Sequence, residues 1–190
     1  MIVKTFVRAA SLLTTLGVTP GAMAQFTLTS PDFQPGGALA DAQAYDGMGC
    51  TGQNLSPALR WSDAPAGTKS FALLLHDPDA PTGGSGWWHW IAYDIPASAN
   101  ELPRGAGKAD GSAMPKGSKS VANDYGTPGY GGPCPPEGDK PHRYVFTLYA
   151  LNVDKLELPN GAHAPVVGFV VNGKTLGKAS VTGMYGRPRR

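Results

Sequence analysis

Little charge and little cysteine mark this 190-residue sequence: 16% of its residues are charged and two are cysteines. No uninterrupted apolar stretch reaches the length needed to cross a bilayer. Net charge is small as well, with 16 Lys and Arg against 14 Asp and Glu. Lys4 and Arg8 are the basic residues of segment 1–24, which holds no acidic one, so residues 25–190 carry 14 of each sign. A near-neutral domain lacks the basic face that nucleic-acid binding requires. The sequence has no Gly-x-Ser-x-Gly elbow for a hydrolase triad, and no Lys-Ser/Thr follows Gly83-Gly84-Ser85-Gly86 to make a phosphate-binding loop. Its histidines and cysteines match no zinc spacing. It shows neither an internal repeat nor an interdomain linker.

Glycine and proline are abundant, at 26 and 18 residues, which argues for many turns and short strands rather than long helices. The length suits one domain with a full core. Residues 1–24 read as a secretory signal peptide. Lys4 and Arg8 form its positive end, Ala9 to Val18 a modestly apolar middle, and Ala22-Met23-Ala24 an A-x-A cleavage site, so the mature chain is expected to start at Gln25. The alternative, a buried helix, is opposed by Pro20-Gly21. Export to the periplasm or the medium follows, and an oxidising compartment favours pairing Cys50 with Cys134 over leaving two free thiols.

Strands are expected at residues 26–29, 59–61, 71–75, 89–95, 143–151 and 176–185, and a short helix at 165–173, opened by Pro165. Phe71 to Leu75 is apolar on both strand faces, so it should be covered on both sides. Residues 97–141 form a long irregular excursion of the kind that is usually functional or mobile. Strands in this turn-rich context imply an all-β fold, a sandwich of antiparallel sheets with one or two short peripheral helices.

Three motifs stand out. Asp77-Pro78-Asp79-Ala80-Pro81 places two carboxylates at i and i+2, on one face if the backbone is extended. Two such carboxylates repel, and one should then hold its proton more tightly; the plainer reading is a turn, since Asp-Pro and Ala-Pro form turns. Gly86-Trp87-Trp88-His89-Trp90 puts Trp87, His89, Ile91 and Tyr93 on one strand face. Gly131-Gly132-Pro133-Cys134-Pro135-Pro136 precedes His142, which shares a face with Tyr144 and Phe146, while Arg143 points the other way in a structural role. The glycines of that loop could aim backbone N–H groups at a ligand.

In this order the motifs resemble the phosphatidylethanolamine-binding protein family, in its bacterial Raf-kinase-inhibitor-like branch, over roughly residues 26–186. The resemblance implies a β-sandwich and a pocket for a small anionic or zwitterionic, phosphate-like group. It places Asp77, Asp79, His89, Gly131, Gly132, Pro133, Pro135, His142 and Tyr144 at that pocket, with no metal, no cofactor and no catalytic residue. His89 and His142 would donate ring N–H groups, Asp77 and Asp79 would orient the ligand and receive an ammonium end, and Pro135 and Pro136 would form an apolar wall. It further implies a cis Ala80–Pro81 bond. Eukaryotic relatives have an extra C-terminal helix over the pocket, so a more open pocket is expected here. A peripheral lipid or protein partner stays open. Competing readings are a metal site of two Asp and two His, a hydrolase or isomerase using the Asp/His cluster, and a secreted protease inhibitor or host-interaction protein.

Overall fold

The computed structural model describes residues 25–189; the expected signal peptide lies outside them. Among the described residues, ten strands and one α-helix succeed one another in chain order. They are β1 (Thr27–Thr29), β2 (Asp46–Gly47), β3 (Cys50–Thr51), β4 (Leu59–Ser62), β5 (Ser70–Asp77), β6 (Trp87–Pro96), β7 (Glu101–Leu102), β8 (Lys119–Ser120), β9 (His142–Leu151), α1 (Ala164–Asn172) and β10 (Thr175–Tyr185). The larger sheet has the order β10-β9-β5-β6-β8, the smaller β1-β4-β7, and β2 pairs with β3. All strand pairs are antiparallel. The fold is therefore the expected all-β sandwich.

Burial explains the order. β5 is central, and Phe71 through Leu75 are all buried. Phe71, Leu73 and Leu75 pack with Trp90, Phe146 and Leu148 against Leu28, Leu59, Trp61 and Leu102 of the smaller sheet. Ala72 and Leu74 face the opposite way and meet Ile91, Leu151 and the helix residues Ala164, Val167 and Val171. Alternate residues of one strand thus enter two cores, as a run apolar on both faces requires. Full burial of each such side chain contributes roughly 1.5–3 kcal/mol. α1 starts with Pro at its first turn and ends at Gly173, in keeping with proline's preset φ.

Two features position the residues around the C-terminal end of β5. The β5–β6 register shifts between Leu75 and His76, and such a bulge re-aims the side chains beyond it. Cys50 and Cys134 form a disulfide with their Cα atoms 5.9 Å apart, as export had suggested. Arg187 reinforces that link: its guanidinium donates to the carbonyls of Gly49 (2.8 Å) and Pro135 (3.3 Å) and to Glu137 (2.8 Å).

Candidate functional site

Just past the bulge, β5 ends at Asp77, whose side chain is buried. One carboxyl oxygen accepts the N–H groups of Asp79 (2.8 Å) and Ala80 (3.1 Å); the other accepts Nδ1–H of His142 on β9, at 2.8 Å. His142 Nε2 lies 3.7 Å from Asp139. The two N–H bonds to Asp77 close a turn that swings Asp79 outward. There its carboxylate takes a two-pronged guanidinium contact from Arg143, at 2.7 and 2.9 Å, and the Arg143 backbone N–H. The expectation of two carboxylates on one pocket face is thereby corrected. Hydrogen bonding to Arg143 pulls the Asp79 pKa down to about 2. The same hydrogen bonds make the reversal at 78–82 with Ala80–Pro81 in trans; no cis peptide bond occurs among the described residues. Arg143 has the structural role that strand alternation gave it.

His89 on β6 is buried and fixed from behind. Its Nδ1 is 2.6 Å from the Gly131 carbonyl. Burial lowers its pKa to about 4, against the opposing pull of that carbonyl and of Asp77. The Asn123 amide clamps the same region, donating to the carbonyls of His89 (3.3 Å) and Gly129 (3.1 Å). Tyr144, two residues beyond His142 on the inward face of β9, sets its ring edge-on to His89 at 5.1 Å. Burial pushes its hydroxyl pKa up.

These groups converge on a cavity of about 190 Å³. Asp77, His89, His142 and Tyr144 line its inner side, Trp87 and Tyr125 its aromatic side, and Met48, Pro135 and Pro136 its mouth, with Cys134 beside them. Among the described residues no lysine or arginine lines it. Three of its polar atoms are buried without a hydrogen-bond partner among the described residues: Trp87 Nε1, His89 Nε2 and the Tyr144 hydroxyl. Since buried polar groups are normally paired, three such atoms on one cavity mark it as a place for a polar ligand. A larger hollow of about 280 Å³, beyond the disulfide, is lined by Asp41, Glu137, Tyr185 and Arg187, but those groups satisfy one another.

Gly131, Gly132 and Pro133 stand behind the cavity wall. The Gly131 N–H donates to the His89 carbonyl at 2.8 Å and the Gly132 N–H to the Asn54 side chain at 2.7 Å, so neither is free to meet a ligand. The reason for glycine here is steric. A Cβ on Gly131 would strike the Tyr125 ring, and one on Gly132 the backbone of Gln43 and Ala44. The Pro133 carbonyl accepts from Tyr45. Tyr125 went unread in the sequence. It lies in an irregular loop, stacks on Tyr45 at 3.9 Å and donates to the Gly132 carbonyl at 3.0 Å, and no periodicity announces it. Trp87 as a donor could have been read from its shared face with His89. Among the described residues no cluster could hold a metal ion.

Known proteins share this arrangement's frame. Residues 29–186 match the family described as Phosphatidylethanolamine-binding protein. The chain is 44% identical over 162 residues to UPF0098 protein YbcL of Escherichia coli (85% of this chain, 88% of that one). Against YbhB of the same organism the figure is 45% over 158 residues, 83% of this chain and 98% of that one. A putative lipoprotein of Mycobacterium tuberculosis, LppC, is 38% identical over 88% of this chain and 76% of its own. The crystal structure of E. coli YbcL, described as a new member of the mammalian PEBP family, superposes with a TM-score of 0.82, covering 86% of this chain and 99% of that one. A homologue from Chlamydia trachomatis gives 0.71 at 30% identity, over 85% and 97%. With a matching sandwich, a family match over residues 29–186 and relatives of this closeness along most of its length, the chain belongs to the phosphatidylethanolamine-binding protein family.

Proposed function

We propose that this protein is exported and binds a small anionic or zwitterionic group, phosphate or a phosphorylethanolamine-like head group, in the cavity below Met48 and Pro135. The observation that carries the reading is the meeting of Trp87 Nε1, His89 Nε2 and the Tyr144 hydroxyl, all buried and unpartnered, in one cavity of about 190 Å³. A cavity of that size admits a head group. With no lysine or arginine among the described residues of the wall, an anion would be held by hydrogen bonds, and an ammonium end would face the rings of Trp87 and Tyr125 and the Asp77 carboxylate. Family membership supports the class of ligand. Export rests on the reading of residues 1–24, with support from the name of the mycobacterial relative; among the described residues no helix is long and apolar enough to cross a membrane.

A hydrolase reading finds less support. Ser85 does not line the cavity, and its hydroxyl is bonded to Thr82 at 3.0 Å. Titration calorimetry with phosphorylethanolamine tests the proposal. Wild-type protein should bind, and Tyr144→Phe should weaken binding by about 1 kcal/mol, the usual net value of one neutral hydrogen bond. Wild-type protein that ignores the ligand at millimolar concentration would discard the pocket reading.

A further inference from the structure

The hydrogen-bond pattern around His89 sharpens the ligand class, and it rests on the proposal that this cavity holds a phosphate-like group. The Gly131 carbonyl at 2.6 Å from Nδ1 can only accept, so Nδ1 carries the ring's hydrogen. Burial at 2% exposure keeps the imidazole neutral. A neutral imidazole has one N–H, so Nε2 presents a lone pair to the cavity. Trp87 Nε1–H and the Tyr144 hydroxyl are donors beside it. Of these three atoms Nε2 can only accept, the indole can only donate and the hydroxyl can do either, while Asp77 and His142 on the same wall are bonded to each other; a bare anionic oxygen set against Nε2 would be repelled.

We infer that His89 meets the ligand as a hydrogen-bond acceptor, so that the pocket selects a phosphate monoester carrying one proton and discriminates against phosphodiesters. A singly protonated monoester has one P–OH for His89 Nε2 and two unprotonated oxygens for Trp87 and Tyr144. A diester has no P–OH. Other charged or titratable groups near His89 are Asp77 at the end of β5, His142 and Tyr144 on β9, and Tyr125 and Asp124 in the loop after β8. None of these is a lysine or arginine that could draw in a second negative charge.

The test uses wild-type protein and two small probes, methyl phosphate and dimethyl phosphate, with ethanolamine as a third arm. Calorimetry at pH 5, 7 and 8, in buffers of different ionisation enthalpy, counts the protons taken up. A monoester loses its second proton near pH 6. Methyl phosphate should therefore bind with no net proton uptake at pH 5 and nearly one at pH 8, its affinity falling about tenfold per pH unit in the upper range. Dimethyl phosphate should bind at least about tenfold more weakly at pH 5, and ethanolamine alone should not bind. His89→Gln, whose amide can donate N–H, should flatten the pH dependence. Equal binding of monoester and diester, pH-independent affinity of wild-type protein, binding of ethanolamine alone, or an unchanged pH profile in His89→Gln would each overturn the inference while leaving the pocket in place. Failure of both phosphate compounds at every pH would remove the pocket reading itself.

Discussion

His89 binds its proton less readily in the folded protein than in the unfolded chain, and this sets a pH dependence of stability. The unfolded residue titrates near pH 6.5 and the folded one near about 4. Between those values the unfolded state holds the extra proton. Stability should then fall as pH drops through 6.5 towards 4, by on the order of 3 kcal/mol, and level off below. Urea unfolding at pH 7 and pH 4.5 measures this, and His89→Gln should lose most of the difference. Asp79 behaves in the ordinary carboxylate sense: its lowered pKa adds stability above about pH 4 that disappears as pH falls through about 2. Its partner Arg143 is 56% exposed, and exposed pairs contribute little. Arg143→Ala should raise the Asp79 pKa towards the usual carboxylate range by NMR titration, with ligand affinity changed less than about twofold.

Among the elements, β5 carries the greatest burden. Leu73 is fully buried, and Leu73→Ala should cost about 2–5 kcal/mol in chemical denaturation. Phe169 on α1 is 81% exposed, and its replacement by Ser should change stability by less than about 0.5 kcal/mol. β5, β9, β10 and α1 were legible in the sequence because each has a local signature: an apolar run on both faces, an alternation, or a proline at a helix start. The two-residue strands β2, β3, β7 and β8 have none. They exist through pairing with distant partners, as Leu102 does with Leu59. The site divides along the same line. His89, His142 and Tyr144 could be placed because strand alternation fixes a side chain's face. Asp79, Gly131 and Gly132 lie where chain direction depends on backbone N–H groups donating to Asp77, Asn54 and the His89 carbonyl, which sequence spacing does not reveal. Tyr125 owes its position to a stack on Tyr45, a residue far from it along the chain.

Across the whole molecule, the disulfide ties the loop bearing Met48 to the loop bearing Pro135, both at the mouth of the cavity. It spans 84 residues, and its reduction should cost about 2–4 kcal/mol. Denaturation with and without a phosphine reductant measures that loss, and ligand affinity should fall alongside it. The strand order β10-β9-β5-β6-β8 also governs when the chain can fold. β5 at residues 70–77 needs β9 at residues 142–151 along one edge, and β9 needs β10, which ends at Tyr185. On the ribosome the apolar middle strand emerges well before its neighbour β9, and the sheet can be completed only once β10 has been made. Until β9 is made, β5 keeps one unpaired apolar edge, so long-range pairing rather than local structure sets when this sheet closes.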